Sequence, residues 1–124
     1  MTLVRFIPAS QNRTVRDGWN VPVDIIEKSD GFSLVFDAPG FNKDDLKIKV
    51  HENLLTVSGE RKQAEDNENS YFTHYERPSG QFSRTFRLPE YADGEHVKAT
   101  YEQGVLTLKI DKKEEAKPRT IEIK

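Results

Sequence analysis

Apolar residues alternate with polar residues over most of the chain, and this period of two limits the fold more than any other feature. The runs "FSLVF", "LKIKV" and "FSRTFRL" place every second side chain on one face, as in a half-buried β-strand. Short connections with Pro, Gly, Asn or Asp separate several runs and favour antiparallel neighbours. No segment has a convincing helical period. About seven or eight short strands with such turns predict an all-β, immunoglobulin-like antiparallel β-sandwich.

The length and the pattern together predict one domain with a segment on either side. A chain of 124 residues has room for a single hydrophobic core. Residues 1–20 show no sustained period and are predicted to form a short irregular arm. Residues 21–111 are predicted to form the domain, and residues 112–124 an extended tail. The arm has no apolar run long enough for a signal peptide, and cysteine is absent, so a cytoplasmic location is expected.

Charge and motif content narrow the classes of partner. The formal net charge is -2 and the isoelectric point is near 5.9, which gives no electrostatic reason to expect nucleic acid or stable membrane association. A glycine-rich phosphate loop is absent, so an ATP-driven cycle is not indicated. No cofactor is predicted.

Candidate catalytic and metal-binding residues do not form a convincing set. His51, His74 and His96 have no metal-ligand spacing and fall near predicted turns or in a charged loop. A triad of Ser79, His74 and Asp93 is conceivable, but "RPSG" offers no strand-to-helix elbow to expose a serine nucleophile. A small hydrolase therefore has little support, and the chain is predicted not to be an enzyme.

Arg84 breaks the local pattern of the strand that contains it. It shares the parity of Phe82 and Phe86, so alternation directs a guanidinium toward an apolar face, where an unpaired cation is costly. Either the side chain has a specific partner, or a bulge or a path to water at the sheet margin relieves the cost.

A long charged stretch, "ERKQAEDNENSYFTHYERPSG", separates two of the predicted strands. Its first half cannot bury enough apolar area to form core, so a long loop is expected. Its second half contains Tyr71, Phe72 and Tyr75, which are more apolar than a soluble connection requires, and "YFTHYE" is a candidate for a short strand. The alternative is a flexible hairpin connection, which costs little loop entropy.

Several motifs resemble those of the small heat shock proteins and their α-crystallin domain. They are "DAPGF", "LTVSGE", "SGQFSRTFRLP", "VKATYEQGVLTLKI" and a final "IEI", in this order over residues 21 to 123. Gln103 departs from the family pattern, which usually has Asn or Asp there, but Gly104 remains free to take a positive φ in the turn. The arm is shorter than most of the family carries.

The resemblance, to members of the bacterial, plant and fungal type, implies a dimer. An arginine at the position of Arg84 would be paired with acidic groups at the dimer contact, here Glu76 or the acids among residues 65 to 68. The long loop would carry a strand that pairs with the neighbouring subunit's sheet and buries Tyr71, Phe72 and Tyr75.

The tail motif is expected to join dimers. Ile121 and Ile123 face the same way on an extended segment while Glu122 faces water, so both can enter one groove on another dimer. By resemblance, the groove lies between two strands whose relevant residues are Leu46, Ile48, Val50, Val97, Ala99 and Tyr101. The alternative is a tail whose isoleucines extend the domain's own sheet.

The resemblance implies an ATP-independent holdase chaperone that assembles as an oligomer of dimers and binds unfolding client proteins. Apolar residues of the arm are candidates for client binding, or they pack within the assembly: Leu3, Val4, Phe6, Ile7 and Trp19. The alternative is a non-oligomeric sandwich-type co-chaperone or adaptor of a larger ATP-dependent chaperone. The long aromatic loop and the tail count against that alternative.

Overall fold

A computed structural model describes residues 20–62 and 69–124, and the structural statements below concern these residues. They form a structure made of strands, with two short 3-10 turns at Lys43–Asp45 and Glu114–Ala116. The strands are β1 (Val23–Glu27), β2 (Gly31–Asp37), β3 (Leu46–His51), β4 (Leu54–Arg61), β5 (Gly80–Arg87), β6 (Ala92–Glu102) and β7 (Val105–Lys112).

The strands form two antiparallel sheets that pack face to face. One sheet has the order β1-β2-β7-β6, and the other has the order β3-β4-β5. All strand pairs within both sheets are antiparallel. The prediction of an all-β antiparallel sandwich is therefore confirmed. β3 and β6 are edge strands of different sheets, which matters for the candidate groove.

The core lies between the sheets and consists of the inward residues of the alternating strands. Phe36 and Phe86 come from opposite sheets and meet edge to face, with ring centroids 6.0 Å apart. Aromatic pairs prefer this geometry because the ring edge is positive and the face negative. The core also includes other fully buried side chains: Val21, Phe32, Leu34, Leu55, Val57, Leu108 and Ile110.

β2 is buried on both faces at Ser33, where the alternation predicts an exposed polar residue. Ser33 is only 6% exposed, so the half-buried reading is wrong at this position. The reason is that β2 is a central strand: Ser33 lies between Ile26 of β1 and Lys109 of β7 in the register. Its small side chain is thus flanked by two longer residues.

Two tight turns use left-handed backbone conformations. Glu52 and Asn53 join β3 to β4 with φ of 50° and 64°, and Gln103 and Gly104 join β6 to β7 with φ of 52° and 77°. Positive φ at both central residues is typical of the type I′ hairpin turn, whose twist matches that of the flanking strands. The positive φ predicted for Gly104 is confirmed, and Gln103 shares it.

Among residues 20–62 and 69–124, the segment "YFTHYE" pairs with no strand. The candidate strand at this point is therefore not a strand of the isolated fold. An extended segment needs a neighbouring edge for its backbone hydrogen bonds.

Candidate functional site

The candidate groove is formed by the edge strands β3 and β6. The two strands approach where a methyl group added at Gly94 would lie 3.0 Å from the Val50 Cγ1 atom. The side chains predicted to line the groove are half-buried, with the exception of the exposed Ala99; they are Leu46, Ile48, Val50, Val97 and Tyr101. These half-buried residues also pack against the core. Apolar area therefore remains partly open to water along both edges.

Tyr101 is held in place at the groove by two hydrogen bonds. Its hydroxyl donates to the carbonyl oxygen of Ala38 at 2.5 Å and accepts from the backbone N–H of Phe41 at 3.3 Å. Ala38 and Phe41 are buried, and the segment between them turns through Gly40 at a φ of 82°. The ring is therefore fixed by its polar end, which leaves its apolar face as part of the groove.

The tail isoleucines are exposed in the single chain. Ile121 is 80% and Ile123 is 95% exposed, and no strand is formed after Lys112. The alternative in which the isoleucines extend the domain's own sheet is therefore not the arrangement of this structure. Near the start of the tail, the backbone N–H of Lys113 donates to the Tyr91 carbonyl oxygen at 2.8 Å.

Lys112, just before the tail, makes a set of side-chain contacts that the sequence did not predict. The Lys112 ammonium, on a side chain only 11% exposed, lies 2.8 Å from a Glu27 carboxylate oxygen, with the Phe32 ring at 5.5 Å and the Tyr91 ring at 5.6 Å. Burial, and then the Glu27 carboxylate, raise the pKa of Tyr91. Lys112 lies two residues after Ile110 on β7, so alternation places its side chain on the inward face, as it does for Arg84.

Arg84 is half-buried on the inward side of β5, as its parity predicts. Its Nη1 donates to the carbonyl oxygen of Val21 at 2.8 Å, and its guanidinium carbon lies 5.2 Å from the Phe86 ring centroid. Within the single chain, Glu76 accepts from exposed His74 at 2.9 Å, and its pairing with Arg84 at a dimer contact stays a prediction. The acids at residues 65 to 68 lie outside the described residues.

The aromatic side chains of the long loop remain exposed in the single chain. Tyr71 is 83%, Phe72 is 42% and Tyr75 is 54% exposed. Phe72 and Tyr75 contact each other edge to face with centroids 5.4 Å apart, and the Tyr75 hydroxyl lies 3.2 Å from that of Ser79. The loop therefore carries an apolar surface that its own domain does not cover.

Arg61 fixes the point where the long loop rejoins the sandwich. It is 8% exposed and donates to the carbonyl oxygens of Pro39, at 3.0 Å, and of Pro78. Burial, and then the charge of Arg77, lower the pKa of Arg61. The guanidinium thus ties the end of β4 to the segment before β5.

The conceivable catalytic residues bond to other groups. Ser79 pairs with Tyr75 and His74 with Glu76, whereas Asp93 accepts from the His96 ring at 2.7 Å. A backbone N–H bond from Glu95, with smaller help from His96, lowers the pKa of Asp93.

Within residues 20–62 and 69–124, no group of three or more His, Asp or Glu side chains is arranged to hold a metal ion. The same part of the chain has no helix long and apolar enough to cross a membrane. The arm residues predicted to bind clients, Leu3, Val4, Phe6, Ile7 and Trp19, lie outside the described residues.

Comparison with known sequences finds relatives over most of the chain. The profile described as the Hsp20/alpha crystallin family matches residues 24–124. The 16.9 kDa class I heat shock protein 3 of Oryza sativa subsp. japonica is 40% identical over 120 residues, which cover 94% of this chain and 80% of the rice protein. The 18.1 kDa class I heat shock protein of Arabidopsis thaliana is 42% identical over 112 residues, 90% of this chain and 70% of that protein.

Solved structures show the same likeness. A small heat-shock protein from Xylella fastidiosa, whose structure is described as having a distinct high order structure, matches with a TM-score of 0.72 and 34% identity. The match covers 86% of this chain and 97% of that one. Heat shock protein 16.0 from Schizosaccharomyces pombe matches with a TM-score of 0.69 and 29% identity over 86% of this chain and 99% of that one. The comparisons of sequence and of fold therefore agree.

Proposed function

The chain belongs to the Hsp20/alpha crystallin family of small heat shock proteins, and on that premise we propose that it is an ATP-independent holdase that assembles as an oligomer of dimers. It binds unfolding proteins through apolar surface and keeps them from aggregating. The family has a chaperone role, and the resemblance inferred from the sequence motifs is confirmed. The cytoplasm is the proposed location.

The observation that carries this proposal is a complementary pair of apolar surfaces on one chain. The tail presents Ile121 and Ile123 to water, and the edge strands β3 and β6 carry half-buried apolar side chains that support a groove between them. Each surface alone would promote non-specific aggregation, because exposed apolar patches associate with one another. Together they support binding of the tail of one subunit in the groove of another.

Intermittent release of such tails provides surface for clients. A groove that a tail leaves becomes available to an apolar segment of an unfolding protein, and the same holds for apolar residues of the arm. The free energy for client capture then comes from burial of apolar area, at about 25 cal/mol per Å². No nucleotide is needed for this cycle.

Aggregation of a heated client tests the proposal. Citrate synthase is heated with and without the protein in nucleotide-free buffer, and light scattering is followed. We expect scattering to fall at a near-stoichiometric ratio of protein to client, while an equal mass of serum albumin leaves it high. Undiminished scattering at several-fold excess of the protein would contradict the holdase proposal.

A further inference from the structure

The outward side chains of the β3-β4-β5 sheet carry a net positive charge. The face is made of the outward side chains of three strands: Lys47, Lys49 and His51 of β3, Leu54, Thr56, Ser58 and Glu60 of β4, and Gln81, Ser83, Thr85 and Arg87 of β5. Lys47, Lys49 and Arg87 are exposed, and they form no ion pair with any other described residue. Glu60, at one corner, is the only acidic residue among these outward side chains. This contrasts with the net charge of -2 of the chain.

Hydroxyl groups lie in register beside the two lysines. Lys47 is opposite Ser58, and Ser58 is opposite Ser83. Lys49 lies opposite Thr56 in the same way, and the hydroxyl oxygens of Thr56 and Thr85 are 3.3 Å apart. A hydroxyl can donate to a carboxylate, so hydroxyl groups extend the row of each lysine across the sheet; one of the Thr56 and Thr85 hydroxyls already donates to the other, which leaves one donor of that pair available. The two rows lie side by side on the same face of the sheet.

The spacing of the rows fits an extended polypeptide with acidic side chains. Lys47 and Lys49 are two residues apart on a strand, which places them about 6.6 to 6.8 Å apart. Alternate side chains of an extended peptide have the same spacing, so two carboxylates at positions i and i+2 can meet the two ammonium groups. An unfolding chain exposes extended segments that can present carboxylates in such a row.

Two other anionic partners fit the face less well. Single-stranded nucleic acid is held largely by aromatic side chains that stack on its bases, and the face has no Phe, Tyr or Trp. An anionic membrane binds peripheral surfaces that add apolar insertion to charge, and the only large apolar side chain on the face is the half-buried Leu54.

We propose that the outer face of the β3-β4-β5 sheet, through Lys47, Lys49 and Arg87, binds acid-rich extended segments of unfolding proteins. The inference rests on the proposed holdase function and adds a chemical preference to it. Apolar segments bind at the groove and the arm, while this face holds the acidic segments that flank them. Surface charge of this kind raises the rate of encounter more than the final affinity.

Direct peptide binding tests the proposal without an aggregating client. The probe is a fluorescein-labelled peptide of alternating Glu and Ser, and binding to the full-length protein is followed by fluorescence anisotropy at low salt. We expect Lys47→Glu combined with Lys49→Glu to weaken binding by at least about tenfold, since two attractive ion pairs become repulsive. Added salt should weaken binding to the unmodified protein, because the charges are exposed.

A matched control comes from the other sheet. Lys98 and Lys109 are exposed neighbours on β6 and β7, so Lys98→Glu with Lys109→Glu makes the same charge change elsewhere. This variant should bind the peptide as the unmodified protein does. If the first variant fails to fold, as judged by circular dichroism, Lys47→Gln with Lys49→Gln replaces it and should still weaken binding several-fold.

Four results would overturn the proposal: absence of peptide binding, equal loss in both double variants, equal binding of a Lys-Ser peptide, or tighter binding of oligothymidylate or phosphatidylserine vesicles through the same lysines. The citrate synthase assay keeps the two proposals apart. Suppression of aggregation without peptide binding would contradict only this inference. Peptide binding without suppression would contradict only the holdase function.

Discussion

Gln103 occupies a backbone conformation that suits another residue better. Its φ of 52° lies in the left-handed region, which costs an ordinary L-residue about 1 to 2 kcal/mol and which Asn tolerates well. The neighbouring Gly104 also has a positive φ, but it has no Cβ atom and is not strained there. The strain at Gln103 is therefore a local cost of the β6-β7 turn.

We expect Gln103→Asn to raise the free energy of unfolding by about 0.5 to 1 kcal/mol, because Asn is favoured in this turn position. Urea unfolding followed by circular dichroism measures the change. Gln103→Val is the control and should lower stability, since a β-branched residue is strained at positive φ. Equal stability of the Asn and Val variants would contradict the strain at this position.

Arg84 is expected to stabilise both the sandwich and the dimer. Arg84→Ala removes the donor to the Val21 carbonyl, which lies in a fully buried residue, so we expect the free energy of unfolding to fall by about 1 to 3 kcal/mol. The dimer should dissociate at higher concentrations of protein if acidic groups of the contact also lose their partner. Sedimentation velocity over a dilution series measures this second effect.

Arg84→Lys is the matched variant for this position. It keeps the charge but loses the planar fork of the guanidinium. Its free energy of unfolding and its dimer affinity should therefore lie between those of the unmodified protein and the alanine variant. An alanine variant with unchanged urea midpoint and unchanged dimer dissociation would show that Arg84 carries neither role.

The raised pKa of Tyr91 predicts a loss of stability at alkaline pH. Its pKa is raised in the fold, chiefly by burial, so the folded state holds the phenolic proton more tightly than the unfolded state does. The resulting stability is fully present below the unfolded pKa of about 10 and is lost as pH rises through the folded pKa. Urea unfolding across this range should show a smaller alkaline loss for Tyr91→Phe. Identical pH profiles would contradict the shift.

At the level of strands, alternation predicts those elements in which every second residue is apolar and faces inward. β1 escapes this pattern because Ile25 and Ile26 are adjacent, one half-buried and the other 47% exposed on the outer face. The hydrogen bond from Arg84 to the Val21 carbonyl could not be predicted either, because Val21 is remote in sequence and any residue type supplies a carbonyl. The inward position of Arg84 follows from parity alone.

The long loop should be necessary for the dimer and dispensable for the sandwich. Its aromatic side chains are exposed in the single chain and its described residues lie outside the core, so deletion of residues 67 to 76 should leave a folded monomer. Light scattering coupled to size-exclusion chromatography measures the mass. Replacing Tyr71, Phe72 and Tyr75 together by Ser keeps the loop length and should also weaken the dimer. A dimer that survives the deletion at micromolar concentration would contradict strand exchange.

At the level of the whole molecule, the tail is expected to act as a weak tether that is repeated many times. Two buried isoleucines contribute about 3 to 6 kcal/mol gross, and ordering the backbone costs about 1 to 2 kcal/mol for each residue. One tail is therefore held weakly, but many tails act together through their high effective concentration. The entropic cost grows with temperature, so warming favours release.

Replacing Ile121 and Ile123 together by Gly should reduce the native assembly to dimers or small species while the sandwich stays folded. The matched control is Thr120→Gly with Glu122→Gly, which loosens the same backbone but spares the side of the tail that carries the isoleucines. Light scattering after chromatography reports both masses. A double isoleucine variant with the mass of the unmodified protein would contradict the tether.

The order of strands in the four-stranded sheet has a consequence for how the chain itself folds. β3, β4 and β5 pair with their neighbours along the sequence, so their sheet forms from local contacts. β2 pairs with β1 on one edge, but its other edge must wait for β7, because Phe32 pairs with Ile110 across nearly the whole domain. Non-local pairing of this kind slows folding. During synthesis β2 has only β1 as a partner, so its other edge stays unpaired until the last strand emerges, and a protein proposed to prevent aggregation passes through an aggregation-prone stage of its own.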